Sequence, residues 1–335
     1  MHHTHPHPHT RMQRNIHSHA WIVGVLGLIA GLILLLYVPS LEAVSRSILL
    51  FAGFHLAGGV VLLASLYVVG IRRLFLRPAS PRPDVLEFGW GPEWMNGLAV
   101  AALVAFAAAI AIQVAAPAWW PLSFLAVLLC ASFVVGNFIM LSFRSPDHVV
   151  LPMVPLLRSG EDLVLDAGCG AGRTTIALSR LLGEGRVVAV DRFDAGYIDD
   201  GGRLLLDHNL RVAGLADRVR IEKADLTALD FNDNLFDSAV STNVFDHLGQ
   251  YKEQGLKEVF RVLKPGGRFL MAVWTPGWPM FAVGNLLSFF LTSREGWQRM
   301  ARRTGFNVID KGVFNFAWFV LLEKPASPAP MGQHI

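Results

Sequence analysis

Asp166, Gly168, Gly170 and Gly172 form the part of the sequence best suited to chemistry: an acid two positions ahead of glycines at every second position, within VLDAGCGAGRT at residues 164–174. An apolar run (Leu163, Val164, Leu165) leads in, and helix-forming residues resume at Arg173. That order predicts a buried parallel strand whose carboxyl end opens as a binding site. Glycines let the backbone turn sharply and approach a ligand without Cβ atoms in the way, and N–H groups at the helix start face the same space. The spacing is G-x-G-x-G, not the G-x-G-x-x-G of a dinucleotide fingerprint. Asp166 also stands where a pyrophosphate would be repelled, so it suits a ligand with a cationic end, such as the amine of an amino acid.

More acids fall at predicted strand ends. RVVAV at residues 186–190 predicts a second strand ending at Asp191, about twenty residues beyond the glycines, where a carboxylate accepts ribose hydroxyls. A helix over residues 203–213 leads to a third strand at 219–223, followed by Ala224, Asp225 and Leu226. A fourth strand runs through Ala239, Val240 and Ser241. In RVLKPGGRF (residues 261–269), Leu263 ends a helix, Pro265 stops it, and Gly266 with Gly267 predicts a tight reversal into a fifth strand.

Taken together and in this order, VLDAGCGAGRT, the acids Asp191 and Asp225, and RVLKPGGRF resemble the class I S-adenosylmethionine-dependent methyltransferases over residues 149–324. The resemblance implies a Rossmann-like α/β domain with seven strands, helices on both faces, and a closing hairpin at residues 306–313 and 316–323. It implies S-adenosyl-L-methionine as cofactor, held by Asp166, Gly168, Gly170, Gly172, Asp191, Asp225 and Asn243, with Asp225 facing the adenine amino group. Methyl transfer is an in-line displacement at a carbon already activated by a sulfonium. The protein therefore mainly positions the acceptor and supplies a base where the acceptor carries a proton, and no metal is required. The acceptor is expected over the ends of strands four and five, near Asn243, Asp246, His247, Tyr251 and Trp274. His247 is the candidate base by residue type, with Asp246 and Tyr251 beside it. The alternative is that Asp246 and His247 only brace the following helix.

Composition places these residues in a membrane protein. With 335 residues, 53% hydrophobic and only 16% charged, the chain is too apolar for an ordinary soluble enzyme of its size. Four uncharged apolar runs, at residues 20–38, 48–71, 97–116 and 119–143, each have about the length that crosses a bilayer core. Arg11, Arg14, Arg72, Arg73, Arg77, Arg82 and Arg144 fall on one side of these runs and Arg46 on the other. By the positive-inside rule both termini are cytoplasmic. The predicted architecture is a His-rich tail without fixed structure (1–19), an all-α transmembrane region of four helices (20–144), the methyltransferase domain (145–325) and a short tail (326–335). The loop between the second and third spans reads as irregular, residues 149–157 as a short helix, and residues 278–291 as an interfacial or lid segment too short to span, with packing against the four spans as the alternative. The net charge of +3 does not suggest a nucleic-acid partner.

The expected function is a multi-pass inner-membrane or plasma-membrane methyltransferase acting on an apolar, membrane-associated acceptor: a lipid, quinone or isoprenoid. Two alternatives stay open: a soluble small-molecule acceptor with the spans as an anchor, and a non-catalytic membrane sensor of S-adenosylmethionine.

Overall fold

The apolar runs fold as four long helices, α1 (Ala20–Tyr37), α2 (Glu42–Phe75), α3 (Pro92–Ala115) and α4 (Trp120–Ser142), in the computed structural model, which describes residues 20–75, 82–195, 198 and 202–326. Proline-initiated 3₁₀ turns at Pro39–Leu41 and Pro117–Trp119 join α1 to α2 and α3 to α4. Helix α2 starts six residues before the expected span. Its polar first turns are satisfied internally, because Arg46 pairs with Glu42 and the hydroxyls of Ser45 and Ser47 donate to the carbonyls of Leu41 and Ala43. Among the described residues, three helical stretches are long and apolar enough to cross a membrane: Pro39–Ile71, Glu93–Ala115 and Pro117–Ser142. The apolar part of α1 whose side chains are described, Val25–Tyr37, is shorter. Leu62, Leu98, Phe133 and Ile139 are buried between helices, whereas Leu63, Tyr67, Leu103 and Phe138 face outward, a distribution suited to lipid. The His-rich stretch and the arginines at 11, 14 and 77 lie outside the described residues.

Short β-branched runs then alternate with amphipathic helices, as a parallel sheet requires. Strands β1 (Leu163–Ala167), β2 (Arg186–Asp191), β3 (Val219–Lys223), β4 (Phe236–Thr242), β5 (Leu263–Val273), β6 (Asn307–Phe314) and β7 (Ala317–Glu323) form one seven-stranded sheet in the order β3-β2-β1-β4-β5-β7-β6. The first five strands are parallel, and β7 and β6 are antiparallel to their neighbours. Because alternate strand residues face opposite ways, Val164 packs with Ile176 of α5 (Arg173–Leu181) and Leu206 of α6 (Arg203–Val212) on one face. Leu165 packs on the other face with Val259 of α7 (Lys252–Val262) and Trp297 of α9 (Arg294–Thr304). The expected fold class holds, with helices on both faces of the sheet.

Two local expectations are corrected. Residues 149–157 form no helix; they run along the α5–α6 face with Leu156 buried and Leu151, Val154 and Leu157 packed beside it. Pro152 and Pro155 supply no N–H and push their preceding residues out of the helical region. The Pro-Gly-Gly turn is not a reversal: Leu263 already pairs with Phe236, and the ladder resumes at Ser238 with Arg268, so residues 264–267 are a bulge within β5. Gly266 is held there at φ +73° by its N–H to the Lys324 carbonyl.

The segment after β5 is short helix α8 (Trp278–Gly284) followed by a 3₁₀ stretch, Asn285–Phe290. It packs into the helical region instead of standing off as a free lid. Ala282 and Val283 are buried with Leu98, Phe133 and Met140, and Asn285 lies against Gly58 of α2.

Candidate functional site

The carboxyl ends of β1 to β5 lie side by side, so residues distant in sequence meet along one edge. Asp166, one residue before the end of β1, is fully buried. Its Oδ2 accepts the Thr175 hydroxyl at 2.5 Å, and its Oδ1 is buried without a hydrogen-bond partner. Burial pushes the carboxyl from its ordinary 3.8 up to about 7, with the Thr175 bond opposing and nearby Asp191 adding to the rise. As pH rises past the ordinary value the unfolded chain ionises first, so the folded protein loses stability up to about pH 7, and the loss is complete above it. In ligand-free protein, Asp166→Asn removes this titration. Its melting temperature relative to the parent should therefore climb from about pH 4 to about pH 8; a difference that stays flat with pH would mean that the carboxyl is not held in this way.

The glycine loop follows. Gly168, Gly170 and Gly172 all have positive φ, at +88°, +48° and +86°. The N–H groups of Gly168 and Cys169 both donate to the Val190 carbonyl, and that of Gly170 donates to Asp191 Oδ2 at 2.9 Å, so the loop is sewn to the end of β2. Asp191 Oδ1 takes the Phe193 N–H at 2.9 Å, and burial raises this carboxyl too. Each oxygen thus keeps a second lone pair for a ligand. Beyond β3, Asp225 Oδ1 accepts the backbone N–H and hydroxyl of Thr227, and its Oδ2 lies 3.6 Å from Arg192. Partial burial works to raise the Asp225 carboxyl, but these bonds hold it below its ordinary value. Asn243, directly after β4, adopts φ +58°, and its Oδ1 is buried without a partner. The Thr242 hydroxyl meets that of Thr174 at 2.8 Å, tying the end of β4 to the first turn of α5.

Asp246 and His247 sit in the 3₁₀ stretch Phe245–Tyr251. Asp246 is buried with Oδ1 unpartnered, and its Oδ2 is 3.9 Å from His247 Nε2, beyond hydrogen-bond reach. The His247 side chain is 46% exposed. Tyr251 closes the stretch at 45% exposure. The edge thus gathers Asp166, the three glycines, Asp191, Asp225 and Asn243, with Asp246, His247 and Tyr251 following in the 3₁₀ stretch after β4. Tyr197, Asp199 and Asp200, in the connection after β2, lie outside the described residues.

Trp274, just past β5, is buried against the helical region. Its ring centroid is 5.7 Å from that of Phe143, which lies 5.1 Å from Trp90 and 4.4 Å from His148. Burial and the neighbouring Arg173 push His148 down to about 4, so it is neutral at pH 7. Sequence reasoning passed over His148, Phe143 and Trp90. They fall in connections, and only the fold brings them to the end of β5.

With that geometry in view, the similarities to known proteins are specific. Residues 164–267 match the family described as Methyltransferase domain. A protein of Encephalitozoon cuniculi named as a methyltransferase is 31% identical over 186 residues, covering 49% of this chain and 79% of its own. The ubiquinone/menaquinone biosynthesis C-methyltransferase UbiE of Cronobacter sakazakii is 40% identical over 149 residues, and a sterol 24-C-methyltransferase of Eremothecium gossypii is 32% identical over 142. Each of the latter two aligns with 42% of this chain; the alignments span 54% of the former and 35% of the latter. The family match spans β1 to β4 and the first residues of β5.

Proposed function

The chain belongs to the class I S-adenosylmethionine-dependent methyltransferases, and we propose that it methylates an apolar acceptor residing in or at the bilayer. When bound, S-adenosylmethionine supplies a methyl group already activated on a sulfonium. The residues at the strand edge fit it: the glycine loop has three positions without a Cβ atom, and Asp166 Oδ1 and Asn243 Oδ1 are buried acceptors without partners that an ammonium or amino group would satisfy. Asp191 and Asp225, on adjacent strand ends, are the acceptors for ribose and adenine in this reading. Gly168, Gly170 and Gly172 let the backbone close on the ligand.

The observation that carries the acceptor class is the burial of Trp274 against Phe143 and the helix ends, followed at once by a segment that enters the helical region. In this fold the acceptor side is the end of β4 and β5, and here that side abuts apolar helices instead of water. Relatives named for ubiquinone/menaquinone and sterol methylation support an apolar acceptor. The membrane unit is taken as residues 20–144 and the methyltransferase domain as 145–325, with both termini cytoplasmic. A protease added outside intact cells should then spare tags at either end, and cleavage of either would reverse the topology.

Detergent-solubilised protein given methyl-labelled S-adenosylmethionine and a whole-cell extract should move label into the organic phase. Label confined to the aqueous phase would reduce the helices to an anchor, and no transfer despite binding would favour a sensor. For an acceptor that loses a proton, His247 is the assigned base. His247→Ala should lower turnover by about 100-fold with cofactor affinity unchanged, and undiminished turnover would return Asp246 and His247 to bracing α7.

A further inference from the structure

The glycine loop is fastened from behind as well as to the sheet. Asn209 of α6 is fully buried. Its amide donates to the carbonyls of Glu87 and Ala171, both at 2.8 Å, and its Oδ1 accepts the Glu87 N–H at 2.8 Å. The adjacent His208 Nε2 bonds the Val85 carbonyl at 2.9 Å. Part of the connection between α2 and α3 is therefore sewn to α6 and, through one shared side chain, to the middle of the loop. It is not a free surface loop.

Arg173, the first residue of α5, reaches the other way. Its guanidinium donates to the carbonyls of Phe143, Ser145 and His148, where α4 ends and the chain leaves it, and lies 4.1 Å over the Phe88 ring. Phe143 is the C-cap of α4, and a helix C-terminus carries the negative end of the helix dipole. Burial pulls Arg173 down to about 10, so it stays charged at neutral pH. The flanks of residues 171–173 are thus gripped by the two connections that leave the membrane helices.

We propose that Asn209 and Arg173 are positioning residues for the cofactor, through which the near ends of the membrane helices set the shape of the glycine loop. The inference rests on that loop being the S-adenosylmethionine site. Three glycines at positive φ give the loop a large entropy to lose on ordering. Bonds that order it during folding spare that cost at binding, and a released loop binds in proportion to the fraction of time it holds the competent shape. Release should therefore appear in affinity and not in the chemical step.

The test titrates S-adenosylhomocysteine into the full-length protein by calorimetry. No acceptor is present, so the result is independent of what is methylated. Asn209→Leu and Arg173→Gln should each weaken binding by about tenfold or more, and Arg173→Lys should recover part of the loss because an ammonium still donates to the carbonyls. Glu87→Gln should change nothing, since Asn209 uses only the Glu87 backbone. In turnover, KM for S-adenosylmethionine should rise with kcat at saturation within about threefold. If Asn209→Leu does not fold, Phe88→Ala, which removes the ring beneath Arg173, should weaken binding by about threefold. Unchanged affinity in folded Asn209→Leu and Arg173→Gln overturns the proposal, as does a fall in kcat with KM unchanged.

Discussion

Replacing Gly168 with valine is expected to weaken S-adenosylhomocysteine binding by about 100-fold or more while the sheet and helices stay folded. At φ +88° a β-branched residue is forced into the left-handed region, at a cost of roughly 1–2 kcal/mol. A Cβ there would also stand 2.4 Å from Val244 Cγ2 and 2.6 Å from Cγ1, inside contact distance. Overpacking of that kind costs about 1–3 kcal/mol, and the two effects together reach about two decades in an equilibrium constant. Relief would move Val244 and with it Asn243, so the loop and the end of β4 shift together. Gly170 is different: at φ +48° its nearest neighbour would be Ile198 Cδ1 at 3.6 Å. Gly170→Ala therefore meets conformational strain alone and should cost about tenfold. Calorimetric titration beside a thermal melt checks the order, and a folded Gly168→Val with parental affinity would remove the loop from the binding site.

The difference between the two glycines marks where sequence reading reaches its limit. The motif shows three positions that want no Cβ, but Val244 lies more than seventy residues away, and only the pairing of β1 with β4 brings it onto Gly168. Strands β1 to β3 are legible almost to the residue because each is a short apolar or alternating run bounded by turn formers. Once the sheet is known to be parallel, Asp191 and Asp225 fall at adjacent strand ends without further information. The helix expected at 149–157 rested on its apolar residues, but prolines at 152 and 155 decide the backbone. Asn209 and Arg173 were illegible for another reason: their partners are backbone carbonyls, which every residue has, so no residue type in the connections announces the contact. The segment at 278–291 was read correctly as too short to span, and its alternatives included packing against the helices. What the sequence lacked was the identity of the receiving surface, which is set by one small residue on α4.

That residue is Gly136, and Gly136→Leu is expected to reduce methyl transfer to the proposed bilayer acceptor by about 100-fold while S-adenosylhomocysteine affinity stays within about twofold. A Cβ on Gly136 would stand 2.2 Å from the Ala282 carbonyl oxygen, 2.7 Å from its carbon and 3.2 Å from Val283 Cα. All three atoms are backbone, so no rotamer change relieves the clash and α8 must back away from α4 as a unit. The cost of separating a close-packed pair is about 1–3 kcal/mol before any lost contacts of Leu98 and Phe133 are counted. About 2.7 kcal/mol in the barrier corresponds to a hundredfold in rate. Trp274 is only four residues from the start of α8, so the displacement reaches the end of β5, where the acceptor is proposed to lie. Asp166 and the glycine loop are held by β2, Thr175, Asn209 and Arg173 and have no described contact with α8, which is why binding should survive. Gly136→Ala sets the lower rung of the series, carrying the same Cβ clash without the bulk of leucine. If transfer persists in folded Gly136→Leu, the seating of α8 plays no part in acceptor delivery and the helices act on the reaction only as an anchor. If cofactor affinity falls with transfer, the apolar helices govern the loop through α8 as well as through the two connections that grip it.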